Sequence, residues 1–368
     1  MKLLTIDKEP NEAVRDLLGS LLSEGKAAGV LCLTREGDSG AVRYGLITDP
    51  ERLGEAVPFY PAMPNNAGKL LSAMTLRGAA GDPIAAVVRP CELRAFIEVL
   101  KRQQGDGANI ITVSSTCPGV LPLKRLVRGG EADLVENYWS AAAQVEPSPD
   151  IRQACRACRH FVPGSADFVV DLAGRADLKE RTRVFAASEK ALSLCEGVEA
   201  ESGEAELESA EIGKIREARS RVAEESDAET GSKASGLSGI VDFFASCVAC
   251  RACRTVCPIC YCRRCDFEAP YWEYGPRDVE TNLRKRGAVR VPPGTVNFHV
   301  GRLLHMGLSC VGCGMCTDVC PVDIPVSDLF SNTGASVQEL FGYEPGRDAE
   351  EKIPITTFEE NELSEVER

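Results

Sequence analysis

Long apolar runs are missing from this chain. The longest, such as Gly29–Leu33 and Ile84–Val88, fall far short of the ~20 residues that cross a bilayer. No membrane span is therefore expected. The start, Met1–Leu4 followed by Thr5-Ile-Asp-Lys-Glu-Pro10, lacks the basic-then-apolar shape of a secretory signal, and a cytoplasmic location is expected. Histidine is scarce, with three in 368 residues. No nucleophile elbow, Walker loop or GxGxxG turn opens a helix after a strand, so neither acid–base nor nucleotide chemistry is advertised. His160, His299 and His305 are expected to be exposed or core residues. Surplus positive charge is missing too. A net charge of −13 and a pI near 5.0 argue against a nucleic-acid partner.

The negative charge is concentrated. Residues 196–229 hold twelve acids against four bases, and residues 347–368 hold eight against three. These stretches read as a solvated connector and a tail. The segment 247–302 runs the other way, with ten bases against five acids.

Cysteine is abundant: the chain has 17. A disulfide framework belongs to small secreted domains, so metal or redox chemistry in a reducing compartment is the better expectation.

The first ~190 residues read as α/β. Short apolar runs bounded by Gly, Pro or Asp mark buried strands at Gly29–Thr34, Val42–Thr48, Ile84–Val88, Asn109–Val113 and Phe168–Leu172. Helical patterns lie between them. Val14, Leu17, Leu18, Leu21 and Leu22 share one face, as do Leu93, Phe96, Ile97 and Leu100. The expected architecture is an α/β domain with a mostly parallel sheet (1–195), then an acidic helical linker (196–238). A ferredoxin-like two-cluster domain with a long insertion (239–330) and an acidic tail (331–368) follow. The linker holds a candidate helix at Ile212–Val222, and the tail one near Ser336–Phe341.

Two cysteine runs share one pattern. Cys247-Val-Ala-Cys250-Arg-Ala-Cys253-Arg-Thr-Val-Cys257-Pro258 and Cys310-Val-Gly-Cys313-Gly-Met-Cys316-Thr-Asp-Val-Cys320-Pro321 are both CxxCxxCxxxCP, offset by 63 residues. This is the run of bacterial ferredoxins that carry two [4Fe–4S] clusters, in which the fourth cysteine ligates the other cluster. One cluster is thus assigned to Cys247, Cys250, Cys253 and Cys320, the second to Cys310, Cys313, Cys316 and Cys257. Zinc is the alternative for four thiolates, but its sites usually show paired CxxC motifs. Arg251, Arg254, Arg263 and Arg264 sit between the ligands. They either raise a cluster's reduction potential or form a solvated face for an acidic partner.

The first run continues through Cys260, Cys262 and Cys265. These three thiols either help a further metal centre or are buried small hydrophobes. Upstream, Cys91 and Cys117 follow two candidate strands, and Cys155-Arg-Ala-Cys158 forms a CxxC pair. In a parallel sheet the first two emerge at the carboxyl ends, where α/β sites form. The four together could hold a third [4Fe–4S] cluster. Cys32 and Cys195 have no such company and read as core. Tyr271, Trp272 and Tyr274 are expected to give the insertion some core.

The chain resembles the beta subunits of formate dehydrogenases and of deazaflavin (F420)-reducing hydrogenases, a family of iron–sulfur flavoproteins. The resemblance rests on Cys257-Pro-Ile-Cys-Tyr-Cys-Arg-Arg-Cys265, Phe298–Ser309, Cys320-Pro-Val-Asp-Ile-Pro325 and Leu340-Phe-Gly-Tyr-Glu-Pro-Gly346. Upstream it rests on Asn66-Ala-Gly-Lys69, Arg89-Pro-Cys-Glu92, Cys117 and the Cys155/Cys158 pair followed by Ala166-Asp167.

The resemblance implies that Cys91, Cys117, Cys155 and Cys158 ligate the third cluster, and that FAD binds the α/β domain near Asn66, Gly68 and Lys69. It implies a hetero-oligomer in which electrons pass between a molybdenum- or tungsten-containing formate dehydrogenase subunit, or a hydrogenase subunit, and a soluble carrier, deazaflavin or NAD(P). One departure opens an alternative. Lys8-Glu-Pro-Asn-Glu-Ala13 stands where relatives place a Cys-Gly-Gly-type turn. The missing turn motivates the alternative, a flavin-free adaptor feeding a heterodisulfide-reductase-like complex.

Overall fold

Alternating side chains along eight strands build one mixed sheet with a core on each face. The computed structural model describes residues 1–37, 41–127, 131–195, 200–270, 275–287, 291–292 and 294–357. In chain order, β1 (Lys2–Ile6), α1 (Pro10–Ser23), β2 (Gly29–Glu36), β3 (Ala41–Ile47), α2 (Ala67–Thr75), β4 (Ile84–Val87), α3 (Pro90–Leu100) and β5 (Ile110–Ser115) come first. Then follow α4 (Leu123–Val127), α5 (Glu131–Ala142), α6 (Gln153–Arg156), β6 (Phe168–Asp171), β7 (Thr182–Ala186), α7 (Glu189–Leu194) and β8 (Glu201–Glu204). The remainder is helical among the described residues: α8 (Ala210–Lys233), α9 (Gly236–Phe243), α10 (Ala252–Thr255), α11 (Pro276–Arg286), α12 (Thr295–Met306), α13 (Met315–Asp318) and α14 (Val326–Leu340).

The sheet order is β3-β2-β4-β5-β6-β7-β1-β8. Its centre, β2, β4, β5 and β6, is parallel, as the βα alternation predicts. Its margins are antiparallel: β3 on one side, β7, β1 and β8 on the other. β4 is buried at all but its first residue, and β5 and β6 are buried at every residue. That suits parallel strands covered on both faces. Alternate residues point to opposite faces. Val30, Ala85, Val87, Ile111, Val113 and Phe168 join α1 on one side. Leu31, Ala86, Val88, Ile110 and Val169 join α2, α3 and the cysteine-rich half on the other.

Three departures from the sequence expectation have physical causes. β1, β7 and β8 were not foreseen. β1 and β8 pair only at the sheet margin, and β8 is exposed throughout, so no apolar pattern marks it. The acidic stretch is no mere solvated connector. α8 buries Ile212, Ile215, Ala218, Arg219, Ala223 and Thr230. The tail also packs: Tyr343 and Ile353 are buried, and the helix there is longer than foreseen, starting at Val326.

Tyr343 Oη (2.5 Å) and Gly346 N (2.9 Å) both donate to the buried Glu98 carboxylate of α3, which also pairs with Lys101 and Arg102. The resemblance motif Leu340–Gly346 therefore docks the C-terminal segment onto the α/β half. Tyr271, Trp272 and Tyr274 lie outside the described residues. No helix among the described residues is long and apolar enough to cross a membrane.

Candidate metal centre

The two cysteine runs repeat in backbone as well as in sequence. Ala249 (φ 56°) and Arg251 (φ 59°) are left-handed, and so are Gly312 (φ 66°) and Gly314 (φ 73°), 63 residues on. α10 and α13 begin at equivalent positions and end at equivalent positions. Val256 N bonds to Ala252 O at 3.1 Å, and Val319 N bonds to Met315 O at 3.1 Å. Left-handed residues turn successive amides to one side, forming concavities that suit anionic groups. One such amide, Ala249 N, donates to Cys247 Sγ at 3.4 Å. Ile324 N donates to Cys320 Sγ at 3.4 Å.

The last cysteine of each run lies near the other run. Cys257 lines one cavity with Cys310, Cys313 and Cys316. Cys320 instead acts electrostatically on Cys247 and Cys253, and Cys253 also feels Cys250. α10 packs against α13 to bring this about.

The upstream cysteines converge as well. Cys91, Cys117, Cys155 and Cys158 line a single cavity together with Cys313. Cys91 sits in the first turn of α3, just beyond β4, and Cys117 just beyond β5, both at carboxyl ends of parallel strands. Glu92 braces this turn. Its carboxylate accepts from Arg89 N (2.8 Å), Ala67 N (2.9 Å) and Tyr44 Oη (2.6 Å). Cys155 and Cys158 arrive on and after α6, held by Arg152 N donating to Val120 O at 2.9 Å.

The three groups stand in series. Cys313 lines the cavities of both the second and the upstream group. Arg302 lines the second group's cavity and donates from Nη1 to Cys253 Sγ of the first at 3.2 Å. A buried ion pair, Arg152–Asp318 at 2.5 Å, clamps the upstream segment to α13.

Burial disfavours free thiolates here. It pushes Cys253 and Cys117 up to about 11 and Cys313 up to about 12. Bound metal would hold such groups as thiolates. Among the described residues no three ligating side chains converge as on a single ion.

Other foreseen residues have defined places. The Cys260 thiol donates to Met306 Sδ at 3.4 Å. Cys262 is exposed. Arg254 braces the insertion through Glu268 (2.5 Å) and Cys262 O (2.7 Å). Arg263 and Arg264 are exposed. Cys32 and Cys195 are buried in the core. His305 is exposed, whereas His299 is buried with Nε2 3.5 Å from Cys247 Sγ and its ring stacked on Phe244.

Asn66, Gly68 and Lys69 sit at the start of α2. Asn66 is buried and caps α2. A Cβ on Gly68 would stand 2.3 Å from Glu92 O, so this glycine permits α2 to touch α3. Lys69 Nζ donates to Thr255 O and to Cys257 O (3.3 Å), binding α2 to the first cysteine run. The glycine-free stretch 8–13 starts α1, with Glu9 as N-cap accepting from Glu12 N and Pro10 at the first helical position.

Sequence reasoning missed Arg302, Arg219, Arg152 and Asp318. Arg219 donates to Cys117 O at 3.0 Å and lies 4.5 Å over the Phe161 ring. A signal existed for two of them. Arg302 is four residues from both Phe298 and Met306, and Arg219 shares the stripe of Ile212 and Ile215, so each lies on the buried face of its helix.

Two curated proteins and one solved chain are similar to this one. The F420-dependent formate dehydrogenase subunit beta of Methanocaldococcus jannaschii is 26% identical over 370 residues, covering 91% of this chain and 92% of that protein. The chain resembles formate dehydrogenase beta subunits along nearly its whole length. The F420-dependent formate dehydrogenase 1 subunit beta of Methanococcus maripaludis is also 26% identical, over 377 residues, covering 92% of this chain and 91% of that one. A solved chain from the F420-reducing [NiFe] hydrogenase complex of Methanosarcina barkeri aligns with a TM-score of 0.44 and 12% identity, covering 65% of this chain and 94% of that chain. No protein-family model matches. The resemblance read from the motifs is thus borne out, and it supports an oxidoreductase electron-transfer subunit.

Proposed function

We propose that the chain is the iron–sulfur subunit of a cytoplasmic formate dehydrogenase- or hydrogenase-type complex. It relays electrons between a molybdenum- or tungsten-containing or hydrogenase catalytic subunit and a soluble deazaflavin or NAD(P) carrier. The observation that carries this reading is the series of three four-cysteine groups, linked by Cys313 and Arg302. Cys247, Cys250, Cys253 and Cys320 would hold one [4Fe–4S] cluster; Cys257, Cys310, Cys313 and Cys316 a second; Cys91, Cys117, Cys155 and Cys158 a third. Bound clusters supply single-electron transfer.

The chain's own residues do the rest. The left-handed turns at 249, 251, 312 and 314 aim amides inward. Met63, Val120 and Met315 wall the upstream and second groups from water. Of the twelve cysteines in these groups only Cys250 is exposed, so the first group offers a face to solvent. Electrons would enter or leave through the first group's face.

A flavin-free adaptor, serving for instance a heterodisulfide-reductase-like complex, is the second reading. The packing of residues 8–13 and Gly68 favours it, because these positions are spent on a helix start and a helix contact. Anaerobic purification with iron, sulfide and flavin analysis separates the readings. About twelve irons with one FAD supports the flavin-bearing relay, given four irons per cube. Twelve irons without flavin leaves the adaptor. Zinc without labile sulfide sinks both.

A further inference from the structure

Arg302 is a buried cation without an anionic side chain of the usual kind. It is 3% exposed. None of the ion pairs among the described residues includes it, and its Nε has no hydrogen-bond partner there. Desolvating a lone guanidinium is costly unless a counter-charge lies beside it. The candidates beside it are sulfur atoms. Nη1 donates to Cys253 Sγ at 3.2 Å, and Nη2 to Cys253 O at 3.2 Å. The same side chain lines the cavity of Cys257, Cys310, Cys313 and Cys316. Two rings hold it in place, Phe298 with its centroid at 5.5 Å and Phe330 at 4.8 Å.

Cysteine-bound iron–sulfur clusters are anions, and their reduction potentials depend on local charge and on hydrogen bonds to sulfur. We propose that Arg302 is a shared tuning residue, set between the first and second cysteine groups, that raises the reduction potentials of both clusters and raises that of the Cys253 cluster further through its N–H···S bond. The inference rests on the cluster reading. It transfers the tuning role from Arg251, Arg254, Arg263 and Arg264, the cations between the ligands in sequence, to one cation from a separate helix. Arg254 is already engaged by Glu268, and Arg263 and Arg264 face solvent, where water screens their charge.

The test uses the full chain, purified anaerobically as wild type, Arg302→Lys and Arg302→Met. Iron and labile sulfide per chain are measured first. Spectroscopically monitored redox titration then gives each cluster's potential. Arg302→Met should lower both potentials. Arg302→Lys keeps the charge but loses the planar fork, so it should lower chiefly the Cys253 cluster, and by less. Should Arg302→Met lose its clusters, the lysine variant decides alone: an unshifted Cys253 cluster overturns the proposal. Full iron with unshifted potentials in both variants also overturns it, leaving Arg302 a packing residue. A wild type without iron and sulfide fails the cluster reading itself, a result distinct from either.

Discussion

The two cysteine runs carry the same spacing and the same backbone, yet they are held differently. The second has Gly312 and Gly314 at its left-handed positions, while the first has Ala249 and Arg251 at the same conformations. A side chain there costs roughly 1–2 kcal/mol per residue. At the end of the short helix the second run has Asp318, locked in a buried ion pair with Arg152. The first has Thr255, whose carbonyl accepts from Lys69 and whose hydroxyl donates only back to Arg251 O, at 3.5 Å. The second run sits between the first run and the upstream cysteines, and Gly314 would touch Ala154 there if it carried a Cβ, at 2.7 Å. The first run lies at the surface, with Cys250 exposed. Position in the molecule explains the difference. A buried run needs glycine for close approach and an ion pair for register, whereas a surface run tolerates side chains and their strain.

The largest expected effect tests whether the runs exchange ligands. Cys320→Ala should remove the cluster of Cys247, Cys250 and Cys253 and leave that of Cys310, Cys313 and Cys316, with iron falling by about a third if three cubes are bound. Cys257→Ala should do the reverse. Loss of the cluster belonging to the mutated run itself would break the exchange. Next, Asp318→Asn leaves Arg152 buried and unpaired, at a cost of about 3–5 kcal/mol. Thermal unfolding under anaerobic conditions should show a clear drop, against a much smaller one for Thr255→Val at the equivalent site of the first run. Equal drops would mean that the two runs are held alike.

Gly314→Ala should cost about 2–4 kcal/mol, combining left-handed strain with overpacking against Ala154. Gly312→Ala, with its nearest neighbour, Ser331 Oγ, 3.6 Å away, should cost only the strain, about 1 kcal/mol. Denaturant midpoints in the same buffer rank them, and a reversed rank would refute the close-approach account. The smallest effect is Ala249→Gly. Relief of strain, about 1 kcal/mol, is largely offset by the greater freedom glycine brings to the unfolded chain, about 0.4–1 kcal/mol. A stability change well beyond 1 kcal/mol in either direction would show that the Ala249 side chain has a packing role.

Much of this was legible in advance because it is local. Thiolate spacing is set by turn and helix stereochemistry over a dozen residues, so the repeat of Cys247–Pro258 at Cys310–Pro321 could be read directly. The central strands could also be read, since parallel strands buried on both faces show as short apolar runs. β8 could not, because an exposed edge strand has no apolar pattern. The stretch 201–233 looked like a solvated connector because its acids outnumber its apolar residues. Its buried stripe, Ile212, Ile215, Arg219 and Ala223, is narrow and includes a cation.

By itself, the sequence determined the repeated cysteine spacing of the two runs and the central strands and main helices of the α/β half. The tertiary structure decided which distant groups meet. It set Cys91 and Cys117, at the ends of β4 and β5, against Cys155 and Cys158. It brought Arg152 to Asp318, Tyr343 to Glu98, and Arg302 between two cysteine groups. Spacing along a chain constrains neighbours within a turn or two. Contacts over a hundred or more residues follow only from how the sheet and its helices pack.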